Sequence, residues 1–428
     1  MYILIKNGRV IDKAADIDAV MDVLIRDTVI DKVAEQIEER DYTDVRVIDA
    51  GGCFVMPGFI DMHVHLRDPG FTYKETIATG SKAAAKGGFT TICPMPNTKP
   101  VTDNPEIVSD IVKRAMLESP ITILPVGAVT TGQQGREVTD IKGMAESGIC
   151  AISEDGKSVM NSNLYREAMK IAKECGIPVL AHCEDINLVA GGVMNMGDKS
   201  RQMGLKGISN AVEDIIAARD ILLAKETGAT LHLCHCSTAA SVRMIKEAKE
   251  EGLPVSGEVC PHHFTLSADD IKENDGNYKM NPPLRSRQDV ETLKQGLRDG
   301  IMDVISTDHA PHGSEEKARG FEGAPFGIVG LETSAALTYT ELVLQGYLTP
   351  MQMVEKMSYN PARILGIDRG TLLEGKTADV VIFNPETEYV INAEEFVSKG
   401  HNTPFHGRTV KGAVEYTIHH GKVVFPFS

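Results

Sequence analysis

His63 and His65 form an H-x-H pair where the apolar run 53–60 ends. Residues at i and i+2 of a β-strand share one face, so both imidazoles can hold the same metal ion. In isolation, two half-buried histidines near a strand end would look the same. Here Asp155, His182, His235 and Asp308 each stand near the end of another short apolar stretch. That recurrence suggests a metal centre at the mouth of a parallel barrel, where the strand C-terminal ends carry the chemistry. Four imidazoles and two carboxylates exceed what one tetrahedral zinc requires, but they suit two neighbouring divalent ions that share a bridging carboxylate and a bridging hydroxide. Metal activation lowers the pKa of a bound water to about 7, which supplies a nucleophile without a serine or cysteine. Asp308 could ligate metal and also shuttle a proton, given hydrogen-bond reach of that hydroxide.

Strand alternation assigns each ligand a face. Over 59–65, Asp61, His63 and His65 share one side, and Asp61, one layer deeper, reads as a carboxylate that orients a ligand. Ala151, Ser153 and Asp155 share a face, which selects Asp155 over Glu154 as the ligand. His182 follows Leu180, and His235 follows Leu233 and Leu231, while His232, Cys234 and Cys236 fall opposite. Val304, Ser306 and Asp308 share a side, leaving His309 and His312 to the loop beyond. A structural zinc at Cys234-His235-Cys236 would need a second cysteine pair at finger-like spacing, and the sequence has none.

The elements that must position these residues alternate between strand-like and helix-like from about 57 to 366. Eight strands are predicted, at 59–65, 90–95, 121–126, 149–153, 178–182, 230–235, 254–259 and 303–307. Helical patterns follow most of them, as at 74–86, 163–174, 212–225, 238–250 and 289–298. The expected fold is therefore α/β, a (β/α)8 TIM-type barrel over 57–366. Residues 1–56 and 367–428 read as short strands, clearest at 378–383, 410–418 and 422–425. Neither piece has apolar surface for a core of its own, so the two are expected to form one discontinuous β-sandwich module with the barrel inserted between them. The segment 312–327, with Gly313, Gly320, Gly323 and several charges, reads as a lid or a solvated loop.

The 428-residue chain is long enough for one large barrel plus a smaller module. A formal net charge of −16 argues against a general nucleic-acid or anionic-membrane surface, so an anionic substrate must meet local positive charge. No stretch is apolar enough to span a bilayer, and 1–10 alternates like a strand rather than a signal segment. The eight cysteines sit mostly in apolar runs, which suits buried thiols in a reducing, cytoplasmic setting.

The motifs, taken in order, resemble those of the amidohydrolase superfamily, in particular its dihydroorotases of the bacterial class I type. They are PGFIDMHVHLRDPG at 57–70, MPNTKP at 95–100, SEDG at 153–156, AHCED at 181–185, CHCST at 234–238, PHH at 261–263, YKMNPPLR at 278–285, TDHAPH at 307–312, APFGIVGLET at 324–333 and GKTADVVIF at 375–383. The resemblance spans nearly the whole chain. It implies the zinc-dependent, reversible cyclisation of N-carbamoyl-L-aspartate to L-dihydroorotate, the third step of pyrimidine synthesis. By motif, His63, His65 and Asp308 would hold one zinc, His182 and His235 the other, with Asp155 between them. His65, Arg67, Asn97, Asn281 and His312 would contact substrate, with the backbone of Phe326 and Gly327 facing the ring. Independently of the family, a guanidinium fork at Arg67 suits a carboxylate, and asparagine amides suit an imide edge. Read alone, Arg67 has a surface ion pair with Asp68 or Glu75 as its lesser alternative, and Asn97 and Asn281 would more often be turn residues beside proline.

Two other readings compete. A dihydropyrimidinase or hydantoinase would share the fold, but such enzymes usually bridge their metals through a carbamylated lysine that ends strand four. Here Lys157 comes only after Gly156. A non-catalytic scaffold for aspartate transcarbamoylase would lack metal ligands, and every ligand position is retained. The sequence leaves open a homodimer, and an active enzyme that associates with that transcarbamoylase.

Overall fold

The computed structural model describes residues 2–427. All eight predicted barrel strands form, trimmed at their ends to hydrogen-bonded cores such as Phe59–Val64, Phe89–Pro94, Ala151–Ser153, Val179–Ala181, Leu231–Leu233 and Val255–Val259. The third is interrupted: Thr122–Ile123 pairs with Phe89–Pro94, and Val126–Ala128 pairs with Ala151–Ser153. Every pairing around the ring is parallel, and closure comes from the bridge between Val64 and His309 together with a 2.8 Å bond from the His65 N–H to the His309 carbonyl. The last two strands, Val255–Val259 and Val304–Ile305, complete the ring on the other side. The chain is thus an α/β barrel in which each ligand-bearing strand ends at one rim.

Local chemistry explains where the helices begin and end. Thr76, Asn104, Asn161, Thr238 and Ser286 cap the helices Ile77–Lys86, Pro105–Glu118, Ser162–Cys175, Ala239–Glu250 and Arg287–Arg298 with side-chain oxygens. Gly176 and Gly228 stop their helices in the left-handed region that favours glycine, at φ 70° and 69°. The first helix starts three residues later than its pattern suggests, because Thr76 takes the cap and frees Lys74 to turn towards the barrel mouth.

Strands from both chain ends share one sheet. Its order is Lys422–Phe425, Thr409–His419, Val380–Val390, Phe54–Pro57, Tyr2–Asp12, Ile17–Arg26, Val29–Ala34, with Val45–Asp49 also paired to Tyr2–Asp12. A register shift between Ile5 and Gly8 lets the first strand pair with Val45–Asp49 through its front half and with Phe54–Pro57 through its rear half. Ile3, Ile5, Val23 and Ile25 from one end and Val380, Ile382 and Ile418 from the other then bury a common core. Phe383 stays paired in that sheet but turns its ring to the barrel side, where it packs against Phe54 and Tyr339 at ring-centroid distances of 6.2 and 5.4 Å. Among the described residues, no helix is long and apolar enough to cross a membrane.

Candidate metal centre and substrate pocket

The six predicted ligands converge at the barrel rim, all buried. Asp155 is the hub. Its Oδ1 lies 3.2 Å from His63 Nε2, 3.4 Å from His182 Nδ1 and 3.8 Å from His235 Nε2, while Oδ2 lies 3.4 Å from His65 Nε2. Asp308 Oδ1 stands 3.1 Å from His65 Nε2 and 3.6 Å from His63 Nε2. The nitrogens His182 Nδ1 and His235 Nε2 approach to 2.8 Å.

This donor set fits divalent cations on three counts. The buried His63 Nε2 has no hydrogen-bond partner despite the acids around it. Ligand atoms of His63, His65 and Asp308, and likewise of His63, Asp155 and His235, lie within 4.8 Å of one another. The opposite ring nitrogens are held by other groups: His63 Nδ1 by Glu258 at 3.0 Å, His65 Nδ1 by Asn97 Oδ1 at 2.9 Å, and His182 Nε2 by Glu184 at 3.2 Å. Such outer bonds set the tautomer and leave one lone pair free for a metal.

Burial works to raise the Asp308 carboxyl, but the hydrogen bond from His65 and the charges of His63, His65 and His235 outweigh it and hold the group at about 2. Burial likewise opposes ionisation of Asp155, and the surrounding imidazoles bring it well below the usual carboxylate range. Asp61 accepts the His63 N–H and the Thr307 N–H, tying strand one to strand eight beneath the ligands, and burial pushes it up to about 7.

Three site residues lie at positive φ: Arg67 at 59°, His235 at 35° and Asp308 at 48°. Non-glycine residues pay strain there, and such outliers cluster where the fold over-determines a functional side chain. For strand six this corrects the alternation argument. Leu231 and Leu233 pack outward with the helices Ala211–Thr227 and Ala239–Glu250. It is His232 that faces the interior, bonded to Ser256 and Glu258, and the Cys234 thiol that lies beside His63 and Glu258. His235 reaches the centre because its backbone leaves strand geometry. At strand four alternation holds: Glu154 turns away to Thr130, and Lys157 donates to the Gln133 carbonyl at 3.0 Å.

A pocket of about 580 Å³ opens over the ligands, lined by His65, Arg67, Asn97, Asn281, His312, Phe326 and Gly327 among others. Every predicted substrate residue is therefore in one place. The carboxylates that Arg67 might have paired with are taken. Asp68 receives a two-pronged bond from Arg114 at 2.7 and 2.8 Å, and Glu75 serves Ser398 and His309. Among the described residues no carboxylate lies within ion-pair reach of Arg67, whose fork contacts the Pro311 carbonyl and His312. Burial, then Arg67, Lys74 and Lys317, push the His312 imidazole far down, so it is neutral. Asn281 donates to Glu184 at 2.7 Å, which leaves its carbonyl oxygen for a ligand N–H. Of the loop backbone, the Gly327 N–H and carbonyl are committed to Lys279, Lys317 and Asn402. The Phe326 carbonyl accepts from His312. Arg285 of the same motif as Asn281 is spent internally on Ser237, Asn195 and Ile208.

Sequence reasoning missed Glu258 and Glu184. Both had a signal: Glu258 shares strand parity with Ser256 on an otherwise apolar barrel strand, and Glu184 stands two residues after His182. The segment 312–327 is a packed structure rather than a solvated loop, with two short helices, Ser314–Lys317 and Gly320–Gly323, and a fully buried Phe321. A larger cleft of about 840 Å³ between the helical layer and strand Val380–Val390 contains none of the ligands.

The amidohydrolase family pattern matches residues 54–424. A dihydroorotase of Pelotomaculum thermopropionicum is 49% identical over 99% of this chain and 98% of its own length. A dihydroorotase of Geobacter metallireducens is 48% identical over 99% of this chain and all of its own length. Among solved structures, an L-hydantoinase (dihydropyrimidinase) from Arthrobacter aurescens is similar with a TM-score of 0.89 at 28% identity, covering 99% of this chain and 96% of that one. A dihydropyrimidinase from Brevibacillus agri matches with a TM-score of 0.85 at 26% identity, over 99% and 95% of the two chains.

Proposed function

This chain belongs to the amidohydrolase family, and on that footing we propose that it is a zinc-dependent dihydroorotase, interconverting L-dihydroorotate and N-carbamoyl-L-aspartate. The observation that carries the choice of substrate is the half-buried Arg67 guanidinium, which has no carboxylate of its own and opens onto the same pocket as the ligand cluster. A ring bearing a carboxylate completes that fork. An uncharged hydantoin or dihydrouracil would leave it unpaired. The bridging position also favours this reading over a hydantoinase, because Asp155 occupies it and Lys157 points to Gln133.

In this reading His63, His65 and Asp308 would hold one zinc and His182 and His235 a second, with Asp155 placed between the two sets. Zinc bound there supplies Lewis acidity and a lowered water pKa. Arg67 grips the substrate carboxylate, and Asn281 offers its carbonyl oxygen to a ring N–H. His312, kept neutral, fills the wall between Arg67 and Phe326 without competing for the anion. Asp308, ionised and buried, accepts the proton of the attacking water and delivers it to the ring nitrogen as the C–N bond breaks. In the synthetic direction the reacting carboxylate takes up one proton from solvent, and Asp308 moves the ureido N–H proton to the departing oxygen, which leaves as water.

All eight cysteines are free, which goes with a reducing, cytoplasmic location. A homodimer and an association with aspartate transcarbamoylase are tested by sizing the protein alone and mixed with that partner. The activity is tested by ultraviolet-monitored turnover of L-dihydroorotate by zinc-replete protein beside hydantoin, dihydrouracil and allantoin. Selective loss of dihydroorotate is the expected result; preference for an uncharged ring would overturn the role of Arg67, and no turnover of any ring would favour the scaffold.

A further inference from the structure

Lys317 closes the short helix Ser314–Lys317 and is only 3% exposed. Its Nζ lies 3.0 Å from the Lys279 carbonyl, 3.0 Å from the Pro325 carbonyl and 2.7 Å from the Gly327 carbonyl. An ammonium has three protons, and all three are used. Among the described residues no carboxylate lies within ion-pair distance. Burying a cation without a counter-ion is costly, so a lysine here is a poor choice if the position only had to be filled.

The three carbonyls belong to two stretches of backbone that form one wall of the substrate pocket. Asn281 lies two residues beyond Lys279, and Phe326 lies between Pro325 and Gly327. The Gly327 N–H also donates to the Lys279 carbonyl at 3.0 Å. A second buried lysine straps the same stretches: Lys279 Nζ donates to the Ala324 carbonyl at 2.6 Å and sits 4.5 Å above the centre of the Phe326 ring. The fit at Gly327 is close, since its φ is 128° and a Cβ there would come within 2.6 Å of the Ala310 Cβ. Without the ammonium, three carbonyl oxygens would converge on an unfilled point and repel one another.

We infer that Lys317 is a positioning residue for substrate affinity: its ammonium clamps 325–327 to 279–281, and so sets the spacing between Asn281, Phe326 and His312 across the pocket. It touches neither substrate nor the ligand cluster. The inference deepens the dihydroorotase reading and rests on it.

The test is steady-state kinetics of zinc-replete K317M and K317Q beside wild type, with zinc content and thermal unfolding measured on each. Methionine keeps the stem and removes every donor, whereas glutamine restores two. K317M is expected to raise KM for L-dihydroorotate about tenfold or more at a kcat within about threefold of wild type, with K317Q in between. If wild type fails to turn over dihydroorotate, the functional reading itself fails. If wild type is active and a folded K317M keeps the wild-type KM, or loses kcat at unchanged KM, the clamp is wrong. Should K317M not fold, K317Q and K279M carry the same comparison, and an unchanged KM in both overturns the inference.

Discussion

Replacing Glu258 by glutamine isolates the electrostatic support of the metal centre from its shape. The Glu258 carboxylate is fully buried and carries three donors: His63 Nδ1 at 3.0 Å and the His235 N–H at 3.1 Å on one oxygen, and His232 Nε2 at 3.0 Å on the other. Burial alone would neutralise it, but the bonds and charges of His232 and His63 hold it well below the usual range, so it is ionised. In E258Q the amide oxygen can keep His63 and His235. The amide nitrogen then faces His232, which can switch tautomer because its Nδ1 neighbour is the Ser256 hydroxyl. Packing and hydrogen-bond count thus survive, and what is lost is the charge behind His63. A bond to a charged group is worth about 1.5–3 kcal/mol against about 1 for a neutral one, so the two contacts on that oxygen lose roughly 1–4 kcal/mol together. At about 1.4 kcal/mol per decade, zinc affinity should fall by roughly one to three decades, a range that includes the usual effect of about 10–100-fold on removing a ligand's outer partner. Chelator competition on wild type and E258Q measures this directly, with thermal unfolding of the zinc-saturated proteins as the control for folding. Activity of E258Q should recover substantially at saturating zinc. Wild-type zinc affinity in a folded E258Q would refute the reasoning and reduce Glu258 to a barrel-filling group.

Other perturbations separate chemistry, recognition and scaffold. D308N should leave the unfolding temperature within a few degrees of wild type and abolish turnover; wild-type-like activity would sink the assignment. R67M should lower kcat/KM for dihydroorotate by about 100-fold or more, two charge-assisted bonds being worth about 3 kcal/mol or more, while activity on uncharged rings is unaffected or rises. F383A should destabilise the chain by about 3–5 kcal/mol in a denaturant titration, because it empties the contact between the terminal sheet and the barrel, and should leave the zinc affinity of the folded protein intact. Burial pushes the His263 imidazole below its ordinary value while its Nε2 donates to the Pro282 carbonyl. The unfolded chain therefore gains protons that the fold excludes as pH drops below about 6.5, so stability is full above that pH and declines beneath it, and H263Q should flatten the acid side of the stability profile.

The barrel and the convergence of its candidate ligands were legible because they are written locally. Each ligand follows an apolar strand within a few residues, and Asp155 could be told from Glu154 by parity over five positions. Alternation failed at His235, since the residue reaches the site by abandoning the strand at φ 35°, a backbone state that sequence pattern does not encode. His235 does lie with the other candidate ligands, but by a different geometric route. The groups that support the site from outside it were missed for a different cause. Glu258 supports His63 across 195 residues of chain, and Lys317 binds a carbonyl 38 residues away. In both cases the partner is a matter of which strand or loop becomes a neighbour only when the ring closes. A buried acid or lysine in an apolar segment is visible in sequence as an anomaly, but its partner is not. The same limit applied to Arg67, whose sequence neighbours Asp68 and Glu75 were the natural ion-pair candidates. Only the folded chain gives Asp68 to Arg114 and Glu75 to Ser398, and it is that diversion of nearby acids that leaves a guanidinium free at the rim of a chain carrying sixteen excess negative charges. Local positive charge for an anionic substrate is thus achieved less by adding cations than by occupying the anions around one.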